Sequence, residues 1–240
     1  MPGSVVVDCF PENVQKYRDG YAIVAVDVIR ATTTAITGVS QGRRVFPVAT
    51  LEDAIALAAR LQDKNPLVVG ELGGNMPYGF DMTNSPALLA ERTDVERPMI
   101  LVSTSGTPVI CESAMCKAGF AACLRNYSAQ ISYLASRFDR VAVIGAGSRG
   151  EFREEDQLCC SWIAEGLVRA GFEPGNDQTS EIIRRWSGVP ADAFTNGKSV
   201  DYLRRSGQMR DLDFILGHLD DLSGVFAFRE GELVQLLDSK

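Results

Sequence analysis

The sequence predicts an α/β fold: a three-layer α/β/α sandwich on a mostly parallel (mixed) sheet, with a C-terminal helical and hairpin elaboration. Three observations lead there. Short β-branched runs alternate with amphipathic segments up to about residue 172, the pattern of strands joined by crossover helices. The runs are apolar throughout rather than at alternate positions, as strands covered on both faces are. Beyond them the texture changes to a helical stretch closed by two short strands.

In chain order, Val5–Val7 and Ala22–Val26 open the series as strands, the second running into Thr32-Thr33-Thr34 at a helix start. Arg44–Val48 and Leu67–Val69 flank a helix over Leu51–Gln62, where Leu51, Ile55, Ala58 and Leu61 share one stripe. Ser85 caps a short helix over Ala87–Arg92, with Pro86 at a first position that needs no N–H. Met99–Val102, Phe120–Leu124 and Val141–Ile144 complete the core strands. Helices over Gly106–Lys117, Ser128–Arg137 and Glu154–Ala170 accompany them. Gln178 to His218 reads as mostly helical, with Trp186, Val200, Leu203 and Leu212 as packing residues. Val225–Phe228 and Leu233–Leu236 form a hairpin about Glu230–Gly231. No repeat or linker divides the chain, so one domain is expected over 1–240, with a core over 1–172 and the elaboration over 173–240.

Composition narrows the function. With 240 residues, 45% of them hydrophobic, and a net charge of −7, the chain suits a soluble globular domain without a broad nucleic-acid-binding face. The single histidine, His218, excludes histidine-rich dinuclear and two-histidine zinc sites; it reads as a structural residue near a helix end. The six cysteines include the adjacent Cys159 and Cys160, form no C-x-x-C pair and sit among apolar residues, as buried thiols do. A leader-like start and an apolar span of ~20 residues are both lacking, so a cytoplasmic protein without a membrane partner is expected. Oligomeric state is left open, a homodimer being compatible with such a sheet.

In open parallel sheets, ligands bind outside the carboxyl ends of the strands. Asp27 and Arg30 follow the second strand, Glu71 the fourth, and Ser103-Thr104-Ser105-Gly106-Thr107 the fifth. Asn126 follows the sixth, and Gly145-Ala146-Gly147-Ser148-Arg149-Gly150 with Glu154-Glu155-Asp156 the seventh. Together these groups suit phosphoryl chemistry. Hydroxyls and N–H groups at Thr32–Thr34 and Ser103–Thr107 bind anions, and Arg30 adds a cationic fork. Asp27, Glu71, Glu155 and Asp156 offer oxygen ligands suited to Mg²⁺, which offsets carboxylate–phosphate repulsion. Singly, each has a plainer role: Asp27 as a helix cap, Arg30 as an ion-pair partner, Glu154–Asp156 as a solvated first turn. Their joint placement points to a site.

Rival motifs fit less well. Gly145-x-Gly147-x-x-Gly150 has dinucleotide-loop spacing, but Glu154–Asp156 would repel a pyrophosphate at the same helix start. Asp27-x-x-x-x-Thr32 is similar to the nucleophile loop of haloacid dehalogenase-like phosphatases, yet Ile29 stands where their second aspartate belongs. None of the cysteines is followed by an arginine at C-x₅-R spacing.

Val26-Asp27-Val28-Ile29-Arg30-Ala31-Thr32-Thr33-Thr34 resembles the signature of the 2-phosphosulfolactate phosphatase (ComB) family. The resemblance continues through Gly70-Glu71, Gly79-Phe80-Asp81, Asn84-Ser85-Pro86, Ser103–Thr107, Asn126 and Gly145-x-Gly147 with Glu155-Asp156. It implies an α/β/α fold and Mg²⁺-dependent hydrolysis of 2-phospho-3-sulfolactate to 3-sulfolactate and phosphate, on the route to coenzyme M. It also implies catalytic roles for Asp27, Arg30 and Glu71, and metal ligation by Asp27, Glu155 and Asp156. Substrate binding would fall to Thr32, Thr33, Thr34, Asn84, Ser103, Thr104, Ser105, Gly106, Thr107 and Asn126. The chain departs from the family pattern at Leu72, where an arginine is usual, at Thr83, and at Ser103 and Ser105. Phosphate-ester hydrolysis is thus a firmer expectation than the identity of the small acidic phosphoester. Whether Asp27 attacks phosphorus or orients a water is open at this stage, and a non-catalytic binder of phosphorylated or sulfonated acids is the alternative.

Overall fold

The computed structural model describes residues 2–147 and 150–236, so Ser148 and Arg149 of the glycine loop lie outside the described residues. Among the described residues, ten strands form one sheet: β1 (Ser4–Asp8), β2 (Ala22–Val26), β3 (Val45–Val48), β4 (Leu67–Gly70), β5 (Met99–Val102), β6 (Ala118–Ala122), β7 (Arg140–Gly145), β8 (Glu173–Pro174), β9 (Val225–Arg229) and β10 (Glu232–Leu236). The order across the sheet is β4-β5-β3-β10-β9-β6-β2-β7-β1-β8. Its left block, β4-β5-β3, and its right block, β6-β2-β7-β1-β8, are each parallel inside. The β9–β10 hairpin joins them by antiparallel pairing, β10 to β3 and β9 to β6. The sheet is therefore mixed as expected, but the hairpin of the C-terminal elaboration lies in its middle.

Connections are helical: α1 (Ala31–Ser40), α2 (Leu51–Arg60), α3 (Pro86–Ala90), α4 (Gly106–Glu112), α5 (Tyr127–Ala135) and α6 (Glu154–Arg169). The C-terminal part adds α7 (Asp177–Trp186), α8 (Lys198–Arg205) and α9 (Met209–Gly217). Alternate residues of a strand face opposite sides. In β1, Val5 and Val7 accordingly belong to the cluster with α6 and α7 residues such as Leu158 and Ile182, while Val6 belongs to the cluster on the other face, which contains Ile36 of α1 and Val109 of α4. Over the left block, Ile100 and Val102 meet α2 through Ala54 and Leu57. Two helical layers enclose one sheet, and the strands read as apolar on both faces because both faces are covered.

Local chemistry sets the boundaries. Thr50 accepts from Asp53 N at 3.1 Å to start α2, and Ser85 accepts from Leu88 N at 3.2 Å to start α3. The helix expected over Gly106–Lys117 closes at Glu112 and continues only as a 3-10 turn. The strand expected over Phe120–Leu124 runs two residues earlier. Ala118 pairs with Ala22 despite weak β propensity, and Asn126 Oδ1 takes the Cys123 N–H at 3.0 Å, ending the ladder. A 3-10 turn over Pro11–Tyr17 has no periodic signal; Asn13 and Tyr17 donate to the Asp8 carboxylate at 2.7 and 3.0 Å and hold it. His218 ends α9, its Nδ1 2.8 Å from Phe214 O and its ring stacked on Phe214, so it is a structural residue. All six cysteines are free thiols.

Candidate active site

The carboxyl ends of β2, β4, β5 and β7 open into one cleft of about 370 Å³. Of the residues singled out in the sequence, Asp27, Arg30, Glu71, Asn84, Thr104, Ser105 and Asp156 line it.

Asp27 is the first residue after β2. Its N–H donates to Thr32 Oγ1 (2.9 Å), and its Oδ1 accepts from Ala31 N (3.1 Å), which aims the carboxylate across the start of α1. Gly106, the first residue of α4, makes room for it. A Cβ there would lie 2.2 Å from Asp27 Oδ2, so any side chain would displace the carboxylate. Asp156, in the first turn of α6, accepts from Val28 N at 2.7 Å and ties that turn to the same loop. Glu71 accepts from Thr104 N (2.8 Å), Thr104 Oγ1 (2.9 Å) and Gly74 N (2.6 Å), bracing the loops after β4 and β5.

These carboxylates crowd one another. Burial pushes Asp27 up to about 7, with the negative charges of Glu71 and Glu155 adding to the effect against Ala31 N–H and Arg30. Asp156 is pushed well above the usual carboxylate range by burial, then by the charges of Asp27 and Glu155. Burial also raises Glu155, against a hydrogen bond from Ser199. Glu155, however, lines a neighbouring hollow beside Gly197, and its Oε1 is buried without a hydrogen-bond partner. Among the described residues, no three Asp, Glu, His or Cys side chains gather as a metal cage, so Asp27, Glu155 and Asp156 do not form one.

Arg30 lines the cleft but is already engaged. Its Nη1 donates to Asp211 Oδ2 of α9 at 2.6 Å and to Gln208 Oε1, and both ionic side chains are nearly inaccessible (3% and 2%). Asp211 also accepts from Ser85 Oγ and, at 3.2 Å, from Ala87 N, so one carboxylate fixes Arg30, α3 and α9 together. Asn84, 3% exposed, points a buried Oδ1 with no partner from the cleft wall.

The remaining sequence candidates serve the scaffold. Thr32, Thr33 and Thr34 donate to the carbonyls of Asp27, Val28 and Arg30 at 2.8–2.9 Å, and Thr34 also to Asn84 O at 2.7 Å. Their hydroxyls close the start of α1 instead of lining the cleft. Ser103 and Thr107 satisfy each other's N–H groups at 2.9 and 2.8 Å, a reciprocal cap for α4. Asn126 is fully buried between Cys123 and Gly224.

The cleft also contains residues with no counterpart among the sequence candidates: Arg153, Lys198, Tyr202 and Arg205 line it, and Asp211 anchors Arg30 from behind. The signal was present in α8, where Lys198, Tyr202 and Arg205 recur at i, i+4 and i+7 opposite the buried Val200 and Leu203.

The profile of the family described as 2-phosphosulpholactate phosphatase matches residues 8–230. A Symbiobacterium thermophilum protein named "Probable 2-phosphosulfolactate phosphatase" is 32% identical over 222 residues, covering 90% of this chain and 95% of its own. Proteins of the same name from Cyanothece sp. and Thermotoga petrophila are 33% identical over 77% of this chain and 35% identical over 63%. The match spans 79% of the former and 65% of the latter. The chain belongs to the 2-phosphosulpholactate phosphatase family, which supports phosphatase activity on a small acidic phosphate ester.

Proposed function

We propose that the cleft hydrolyses 2-phospho-3-sulfolactate to 3-sulfolactate and phosphate with the help of Mg²⁺. The observation that carries this reading is the meeting of two buried, mutually repelling carboxylates, Asp27 and Asp156, with cationic side chains in one cleft. Carboxylates alone would repel a phosphate ester, and cations alone would not need them. A divalent cation between acids and ester reconciles the two.

The donor set suits Mg²⁺, which takes one or two protein carboxylates and completes its shell with waters and phosphate oxygens. Asp27 and Asp156 would hold it, with the unpartnered Oδ1 of Asn84 at the same wall. When bound, Mg²⁺ supplies charge stabilisation on the transferring phosphoryl group. The protein's own residues do the rest. Arg30, immobilised by Asp211 and Gln208, holds a positive charge beside the phosphoryl group at no further ordering cost. Thr104 and Ser105 offer polar groups from the loop after β5, and Glu71 keeps that loop in place. Gly106 leaves room for the Asp27 carboxylate, which any side chain there would displace.

The test is phosphate release from 2-phospho-3-sulfolactate by the purified protein, with Mg²⁺ or with excess EDTA, beside Asp27→Asn. Metal-dependent release that the variant loses by a factor of roughly 10³ or more is expected. Undiminished release in EDTA, or from a folded Asp27→Asn protein, would overturn the proposal.

A further inference from the structure

Among the described residues, four cationic side chains line the cleft: Arg30, Arg153, Lys198 and Arg205. Three of them have carboxylates within ion-pair distance. Arg30 pairs with Asp211 at 2.6 Å, Lys198 with Glu151 at 2.7 Å and Arg153 with the same Glu151 at 3.8 Å. Arg205 has no such partner among the described residues; its Nε donates only to Asp201 O of its own helix, at 3.2 Å. Its neighbour Arg204 takes the Asp201 carboxylate instead. Arg205 is thus an exposed arginine at a cleft lined by Asp27, Glu71, Glu151 and Asp156, free to meet an anion from outside.

The helix that carries it is fastened to the site. Tyr202, three residues before Arg205, donates its phenol proton to Gly74 O, on the loop that bears Glu71. The Tyr202 ring lies against Gly74, where a Cβ would approach it to 3.0 Å at a φ of +89°, so glycine admits the ring and supplies the conformation. Val200 and Leu203 anchor the opposite face in the core. The position of Arg205 is thus set relative to Glu71, and through Glu71 relative to Thr104 and the loop after β5.

We infer that Arg205 is a specificity-determining residue that binds an acidic group of the substrate other than its phosphate, a carboxylate or a sulfonate. The inference rests on the phosphatase reading above and deepens it. The phosphoryl end lies with Asp27, Asp156 and Arg30, and the second anionic end lies against α8. A planar guanidinium accepts either oxyanion through paired N–H groups.

The test compares three esters, ethyl phosphate, 2-phospholactate and 2-phospho-3-sulfolactate, as substrates of the wild type and of Arg205→Ala and Arg205→Lys. In parallel, calorimetry follows the binding of 3-sulfolactate and lactate, which needs no turnover. Arg205→Ala should raise KM about tenfold to a hundredfold more for the ester bearing the recognised group than for ethyl phosphate, with Arg205→Lys intermediate. Loss confined to 2-phospho-3-sulfolactate identifies the sulfonate; loss shared with 2-phospholactate identifies the carboxylate. An equal change for all three esters, or none, overturns the proposal. If the wild type releases no phosphate from any ester, the phosphatase reading fails by itself. Calorimetry still decides the role of Arg205: weaker 3-sulfolactate or lactate binding by Arg205→Ala supports it, and unchanged or undetectable binding in both proteins overturns it.

Discussion

The floor and the wall of the cleft come from different parts of the chain and obey different rules. The floor consists of Asp27, Glu71 and Asp156, each in a loop or first helical turn beyond a strand of the sheet. The wall consists of Lys198, Tyr202 and Arg205 on a helix that succeeds no strand of the core, with Asp211 on the next helix behind Arg30. Floor residues are held within and between the strand-end loops, Asp27 Oδ1 by Ala31 N, Glu71 by Thr104 N and Asp156 by Val28 N. Wall residues instead reach the site from the C-terminal helices, as Asp211 does to Arg30 and Tyr202 to Gly74. The floor acids are thus carried by the ends of the sheet's own strands, whereas Lys198 and Arg205 are brought beside them by the packing of α8.

The strongest way to break that division is to cut the link between the two parts. Asp211→Ala leaves the Arg30 guanidinium buried without its counter-ion, which costs about 3–5 kcal/mol. Urea unfolding should register that loss, whereas Arg210→Ala, which removes an exposed pair with Glu91, should change stability by less than about 1 kcal/mol. Equal effects for the two would show that the buried link contributes nothing special.

The floor makes an opposite prediction, because its carboxylates repel. Asp27 holds its proton up to about pH 7 when folded, whereas the unfolded chain releases it near the ordinary aspartate value of 3.8. The native state therefore binds the extra proton between those limits, and stability of the metal-free protein falls as pH rises through this window. Asp27→Asn should stabilise the EDTA-treated protein at pH 7.5 by on the order of 2 kcal/mol and do little near pH 4. Thermal unfolding at both pH values checks this, and a gain independent of pH counts against the repulsion.

Tyr202→Phe is the mildest probe. It removes the hydrogen bond to Gly74 O while keeping the ring, and should lower stability by about 1 kcal/mol. A larger loss would mean that the wall depends on this one bond more than on the burial of Val200 and Leu203.

The same contrast explains which features were legible in the sequence. Continuous runs such as Ala22–Val26 betray strands, and the floor acids are recognisable by their place just beyond the strand ends. The strand order is not written in any local pattern, so the hairpin reads as an appendage although it joins the two parallel blocks. Thr32–Thr34 look like anion ligands because free hydroxyls at a helix start bind anions; here the carbonyls of Asp27, Val28 and Arg30 take those protons first. Arg30 is identifiable as a cation, but its partner Asp211 lies 181 positions away. Arg205 looks like any charge on a solvated helix until the fold sets α8 beside the loop of Gly74.

The central hairpin also orders events during synthesis. Strands β3 and β6 emerge from the ribosome early, yet each has a neighbour among residues 225–236, which come more than a hundred positions later. Until then the nascent protein carries two half-sheets with unpaired inner edges, the kind of surface that invites strand exchange with other chains. Closing the seam is the step that converts them into one enclosed core, so chaperone dependence should track the delay before β9 and β10 arrive rather than the stability of either half.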